Sequence, residues 1–204
     1  METAKNTIQK AKIKDSKLEV VYEEHFAEEN YSNTIEKKCA QIVHVDLKEA
    51  FDRLRVHVVC ICEQPEADQV RARGIFDFDP EILNNYVVTG YTHGGSDESA
   101  GVTIIAQKLL KSGKVLNLIA PFTQFEDADT YEFAGELYAE IASCDHEVEQ
   151  YVFHDKWGIK QLDFDFDAPE EAFLNSAEEK PKKKGRKKKE IAAEITEVEF
   201  EEAF

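Results

Sequence analysis

From residue 180 to residue 189 the chain reads KPKKKGRKKK, eight cations with no acid among them. No core accepts such a run, because each cation would leave water without a partner. Whatever folds must therefore lie before it. Apolar periodicity already stops near Leu162, and residues 163–179 gather acids instead. The expected organisation is an α+β domain over 1–162, an acidic linker over 163–179 and a basic-then-acidic C-terminal arm over 180–204. A body of that length suffices for one hydrophobic core and is short for two.

These boundaries also partition the net charge of −17. Residues 1–179 carry −19, residues 180–189 carry +8 and residues 190–204 carry −6. An acidic body repels nucleic-acid backbones, so binding them needs a local basic groove or the basic run itself. No stretch approaches the roughly 18 consecutive apolar residues of a membrane span. The first 17 residues are polar and lysine-bearing, without an apolar leader core. The expectation is a cytoplasmic protein with no membrane contact. Cys39, Cys60, Cys62 and Cys144 fit neither a zinc ribbon nor a disulfide framework and read as reduced, packed thiols.

Residues 17–25 alternate, with Leu18, Val20 and Tyr22 on one face, and a second strand over 31–43 pairs with them across a polar turn at 27–30. Asp46 then opens a helix as its cap, with Glu49 reaching back and Leu47, Phe51, Leu54, Val58 and Ile61 at helical spacing. Residues 63–80 read as a loop holding Pro65 and Gly74. Strands follow over 86–93, 102–110 and 115–120, rich in Val, Ile, Thr and Tyr. A second helix opens at Asp129 or Thr130 and buries Ala134, Leu137, Ile141, Cys144 and Val148. About five strands and two long helices define an antiparallel α+β sheet with helices on one face. The echo between Phe76-Asp77-Phe78-Asp79 and Phe164-Asp165-Phe166-Asp167 is too short for a repeat, and its phenylalanines are expected to tuck against the body.

No catalytic pattern emerges. Cys60 and Cys62 lie near His57, but on a helix whose apolar face includes Val58 and Ile61, so they read as packing residues. His93 with Ser96 and Asp97 matches no activated nucleophile. The glycine-rich segment 89–95 is followed by a strand where a phosphate cradle needs a helix, and reads as a hairpin turn. Cys144, Asp145 and His146 are adjacent on a helix and point to different faces. No catalytic residue, metal or cofactor is expected.

The arm is the most informative segment. Lys182, Lys183, Lys184, Arg186, Lys187, Lys188 and Lys189 form a tether suited to phosphates and sensitive to salt. After it, Ile191, Ile195 and Val198 fall along one side of a short helix that could form on binding. The chain ends Phe200-Glu201-Glu202-Ala203-Phe204, where Phe200, Glu201, Glu202 and Phe204 suit a partner pocket lined by cations. That ending resembles the acidic, phenylalanine-terminated tails of bacterial and phage single-stranded DNA-binding proteins. The resemblance implies recruitment of replication or repair proteins and competition with DNA for a binding groove. This ending uses glutamate where that family uses aspartate, and two long helices do not fit a five-stranded OB barrel. Separately, Val88-Thr89-Gly90-Tyr91 through Gly113-Lys114-Val115-Leu116-Asn117-Leu118 is similar to uncharacterised proteins of phages and prophages of gut bacteria.

Two readings follow. In the first, the protein is a phage-type single-stranded DNA-binding or replication-accessory protein. Tyr86, Tyr91, Phe122 and Phe125 stack bases, while Arg53, Arg55, Arg71, Arg73, Lys108, Lys111 and Lys114 follow the backbone. In the second, it is an acidic adaptor or DNA mimic whose body engages a basic partner. A contiguous basic face on the folded surface favours the first; a uniformly negative body favours the second.

Overall fold

The computed structural model of the protein describes residues 5–26 and 31–158. The expected turn at 27–30, the boundary near residue 162, the acidic linker and both halves of the arm lie outside the described residues.

The chain opens with a strand where the sequence suggests only polar N-terminal chain. β1 (Lys5–Lys14) turns through Asp15 and Ser16, both left-handed with φ of 50° and 59°, into β2 (Lys17–Phe26). Two positive φ values in a two-residue loop match the right-handed twist of the flanking strands, and Asp and Ser tolerate them. β2 pairs with β3 (Tyr31–Ile42), as expected of that hairpin.

Helices then cross one face of the sheet. α1 (Val45–Arg53) and α2 (Arg55–Ile61) are separated at Leu54, so the single helix expected here is two. Its cap is also corrected. His44 Nδ1 accepts from the Asp46 amide at 3.2 Å, while the Asp46 carboxylate sits in the first turn and pairs with Lys156 at 2.7 Å. The segment expected to be a loop contains α3 (Ala67–Arg73), too short for a period and burying only Ala67 and Val70. It ends at Gly74, whose φ of 94° few other residues adopt.

β4 (Tyr86–Gly94), β5 (Gly101–Leu109) and β6 (Val115–Ile119) form a meander, and a two-residue β7 (Thr123–Gln124) returns to pair with β5. The glycine-rich segment belongs mostly to β4; the turn comes after it, at Gly95 to Ala100. Finally α4 (Ala134–Phe153) packs against α1. It starts later than expected because Asp127 spends its carboxylate on the Thr130 amide and hydroxyl, closing a turn ahead of the helix. Its buried face is the expected one: Ala134, Leu137, Ile141, Cys144 and Val148 are all buried.

Among the described residues the sheet has seven strands, not five, in the order β3-β2-β1-β4-β5-β6 with β7 beside β5, and every pairing is antiparallel. One face carries the core. Ile8, Ala11, Leu18, Val20, Tyr22, Val88, Tyr91 and Ile104 meet Leu47, Phe51, Leu54, Leu137 and Ile141 from the helices. Among the described residues no helix is long and apolar enough to cross a membrane. Of the first echo segment, Phe78 packs against the core as expected, whereas Phe76 is 78% exposed.

Candidate nucleic-acid interface

Side chains alternate across a strand, so burying one face of β1 leaves the other to solvent. Ile8 pairs with Tyr22, Ala11 with Val20 and Ile13 with Leu18, all on the helix side. Lys5, Lys10, Lys12 and Lys14 therefore stand on the uncovered side, with Thr7 between the first two. β1 is central in the sheet, flanked by β2 and β4, so this lysine row lies in the middle of the open face. Lys10, Lys12 and Lys14 follow one another at roughly 7 Å, two strand residues apart. An extended single strand can meet that spacing with successive phosphates.

What surrounds the row suits a polymer laid across it. On the β4 side Lys10 faces Thr92 and Lys12 faces Gly90, so neither meets a charged neighbour there. Beyond them the open face is neutral: Thr103, Ile105 and Gln107 on β5, then Asn117 and Ile119 on β6. On the other side Lys12 is opposite Glu19, which is itself opposite Lys38. Lys17 shares this face, as do Glu23 and Glu36, giving six lysines against three glutamates.

Ion pairing sharpens the contrast. Arg53 binds Glu140 and Ser143, Arg71 binds Glu132, Arg55 lies 3.7 Å from Asp52, and Lys156 bridges Asp46 and Glu147. None of the four β1 lysines joins an ion pair among the described residues. Residues 45–158, which include all the described helices, hold 21 acids against 9 Lys+Arg; residues 5–42 hold seven of each. The acidity of the body thus belongs to residues 45–158, and six of the cations without an ion pair among the described residues, Lys5, Lys10, Lys12, Lys14, Lys17 and Lys38, stand on the face the described helices leave open, while Lys48, Arg73, Lys111 and Lys114 lie elsewhere.

Several sequence-based assignments are corrected by this geometry. Tyr91 is fully buried beneath α1, its ring 5.5 Å from Phe51 and its hydroxyl donating to Asp145 at 2.6 Å, so no ring face remains for a base. Tyr86 is likewise buried and donates to Glu66 at 2.6 Å. Lys108 is opposite Tyr86 on the helix side, its ammonium 4.6 Å from that ring centroid and 3.2 Å from Glu66, and is neutralised there. Both tyrosines lie on the wrong face of β4 for stacking. Lys111 and Lys114 are exposed in the β5–β6 turn, at the end of the sheet rather than on the row. Phe125 packs edge-on against Tyr138 on the helix side, whereas Phe122 lies over Gly94 and Gly101 on the open face and is 46% exposed. Lys182, Lys183, Lys184, Arg186, Lys187, Lys188, Lys189, Phe200, Glu201, Glu202 and Phe204 lie outside the described residues.

The lysine row does not stand out in the sequence, although Lys10-Ala11-Lys12-Ile13-Lys14 alternates perfectly. A bulge at Gln9 shifts the register between Ile8 and Lys10, which puts Ile8 and Ala11 three apart and hides the period.

Of the groups considered for nucleophilic chemistry, His57 and Cys60 are packed, Cys62 and His93 are half-buried, and Ser96 and Asp97 are exposed. His57 is buried, with Nδ1 2.8 Å from the Tyr131 hydroxyl. All four cysteines are free thiols, and burial pushes Cys60 up to about 11, far from the thiolate a nucleophile needs. Comparison with protein-family models, with curated proteins and with solved structures found no match for this chain.

Proposed function

We propose that the protein is an accessory factor of nucleic-acid metabolism, of the phage type, that lays single-stranded DNA across the open face of its sheet and recruits replication or repair proteins through its C-terminal segment. The observation that carries this reading is the row of Lys5, Lys10, Lys12 and Lys14, without ion pairs among the described residues, at the centre of the face that the described helices leave open. On the open face Phe122, 46% exposed, lies over Gly94 and Gly101, and with Ile105 and Ile119 it offers apolar surface to bases and sugars while the lysines contact backbone phosphates. Binding of this kind is weak, sequence-tolerant and strongly salt-dependent. The run at 180–189 adds cations to it, and the acids of 190–204 compete with DNA for both.

The test is a combined Lys10→Gln, Lys12→Gln, Lys14→Gln variant of the full chain, titrated with an oligonucleotide across a salt series. Affinity should fall at least tenfold at low salt, and the log-log salt slope should shrink by about 0.7 for each phosphate no longer neutralised, about 2 in all. Deleting residues 190–204 should tighten binding. Unchanged affinity and slope in the triple variant would remove the open face from the proposal. If no version of the chain binds oligonucleotides, the reading that remains is the acidic adaptor, favoured by the 21 acids of residues 45–158, and a basic partner should then be sought.

A further inference from the structure

β6 closes one side of the sheet: among the described residues its one strand neighbour is β5, and β3 forms the opposite edge. The two edges are built differently. β3 carries Glu36, Lys37 and Lys38 in its middle, charges that another strand laid alongside would trap at the joint. β6 reads Val115-Leu116-Asn117-Leu118-Ile119, without a charge. Val115 is 55% exposed, Leu116 43% and Ile119 69%, so apolar surface reaches solvent on both faces of this strand. Leu116 is opposite Lys108 on the helix side, and its exposure means that the described helices leave room beside β6 there too.

The backbone of β6 decides which groups face outward. Its ladder to β5 is fixed at both ends: the Leu110 N–H donates to the Lys114 carbonyl at 2.8 Å, and the Ala120 N–H donates to the Ile104 carbonyl at 2.9 Å. Orientation alternates along an antiparallel strand, so Lys114, Leu116, Leu118 and Ala120 turn their peptide groups toward β5. The N–H and C=O of Val115, Asn117 and Ile119 therefore point away from the sheet, where no described strand takes them up. Such a row is a template for pairing. Pro121 follows with no N–H to donate and ends it.

The segment reads nearly the same in both directions, which says what fits it. When a second β6 is laid antiparallel about a two-fold axis at Asn117, Val115 falls opposite the partner's Ile119, Leu116 opposite the partner's Leu118, and Asn117 opposite the partner's Asn117. The outward-facing residues are the ones that meet, each pair exchanging two N–H to C=O hydrogen bonds. Apolar side chains meet apolar ones on both faces, and the polar residue meets its own copy. A register one residue off would set Asn117 against leucine and outward groups against inward ones. Two-fold pairing uses the same edge on both chains, so it closes at two. We infer that the protein forms a homodimer by joining the β6 edges of two copies into one continuous sheet. The inference uses the edge and not the lysine row, and does not rest on the DNA-binding proposal.

The experiment is sedimentation velocity of the full-length protein without nucleic acid, at chain concentrations from roughly 1 μM to 1 mM and in moderate salt, which screens the like net charges of the two chains. A joint of one short strand pair is a weak interface, so a concentration-dependent passage from monomer to dimer, and to nothing larger, is expected. Val115→Lys alone and Ile119→Glu alone should each weaken the dimer about tenfold or more, because each sets a charge against an apolar partner. An equimolar mixture of the two variants should restore it, since the introduced ammonium of one chain then faces the introduced carboxylate of the other. A cross-link keeps the test decisive if a charged variant folds poorly. Asn117→Cys, at the axis, should form a disulfide between chains under mild oxidation, whereas Gln107→Cys, its exposed neighbour one strand further in, should not. A monomer at every concentration, a dimer indifferent to both charged substitutions, a mixture no more dimeric than its components, or equal cross-linking from both cysteine variants overturns the inference.

Discussion

Replacing Phe51 with alanine should cost the fold about 3–5 kcal/mol, a large fraction of the 5–15 kcal/mol that holds a typical domain together. Phe51 is fully buried on α1 and lies against Tyr91 of β4, with ring centroids 5.5 Å apart and planes tilted by 53°. It is where the first helix meets the centre of the sheet. Its removal forfeits both the transfer of an aromatic ring from water and the dispersion attraction of the atoms around the void, which a close-packed layer only partly recovers. The internal control is Phe76→Ala, whose ring is 78% exposed and whose replacement should stay within about 0.5 kcal/mol. Urea denaturation of the two variants gives the comparison directly. Equal midpoints for both would mean that the helix layer is not docked on the sheet through Phe51.

The packing of Phe51 on Tyr91 also shows what the sequence made legible. Each residue stands out, one on a helical period and one on a strand period, and the helical face of α4 is readable because five of its apolar residues keep strict spacing. Which face of β4 Tyr91 occupies is not readable, since a strand's two faces are interchangeable until its neighbours are known. Tyr91 and Lys108 look like a stacking residue and a phosphate contact; pairing β4 with both β1 and β5 turns them toward the helices. The same pairing turns Lys10, Lys12 and Lys14 outward. Local irregularity hides the rest. The Gln9 bulge masks β1, and α3 has too few residues to show a period. His44 displaces Asp46 as cap because its ring nitrogen reaches the Asp46 amide, a competition that residue preferences do not foresee. The near-palindrome of β6 stands in the sequence, yet it bears on pairing only at an edge, and strand order is not written in any one segment.

Mild acid should destabilise the protein well before its carboxylates titrate, and His57 should be the cause. Its ring is buried, and burial alone lowers its pKa from 6.5 to about 4. In the unfolded chain the ring takes a proton near pH 6.5; in the folded chain it does not until about pH 4. Between those values the unfolded state binds more protons, so stability is fully present above pH 6.5 and is lost as the pH falls. A gap of that width amounts to about 3 kcal/mol once pH 4 is reached. The carboxylates with lowered pKa, Asp46, Glu66 and Asp127, act at the acid end of this range and below, because their unfolded values are at most 4.5. The window from pH 6.5 to about 5 is therefore left to the histidine among the shifted groups. His57→Gln keeps a polar group beside the Tyr131 hydroxyl and removes the titration, at some cost in stability at every pH. Urea midpoints for the two proteins at pH 7, 6 and 5 should converge as the pH falls, the wild type losing stability while the variant stays nearly flat. Parallel losses in both would show that His57 is solvated in the folded protein and that its burial between α2 and Tyr131 is wrong.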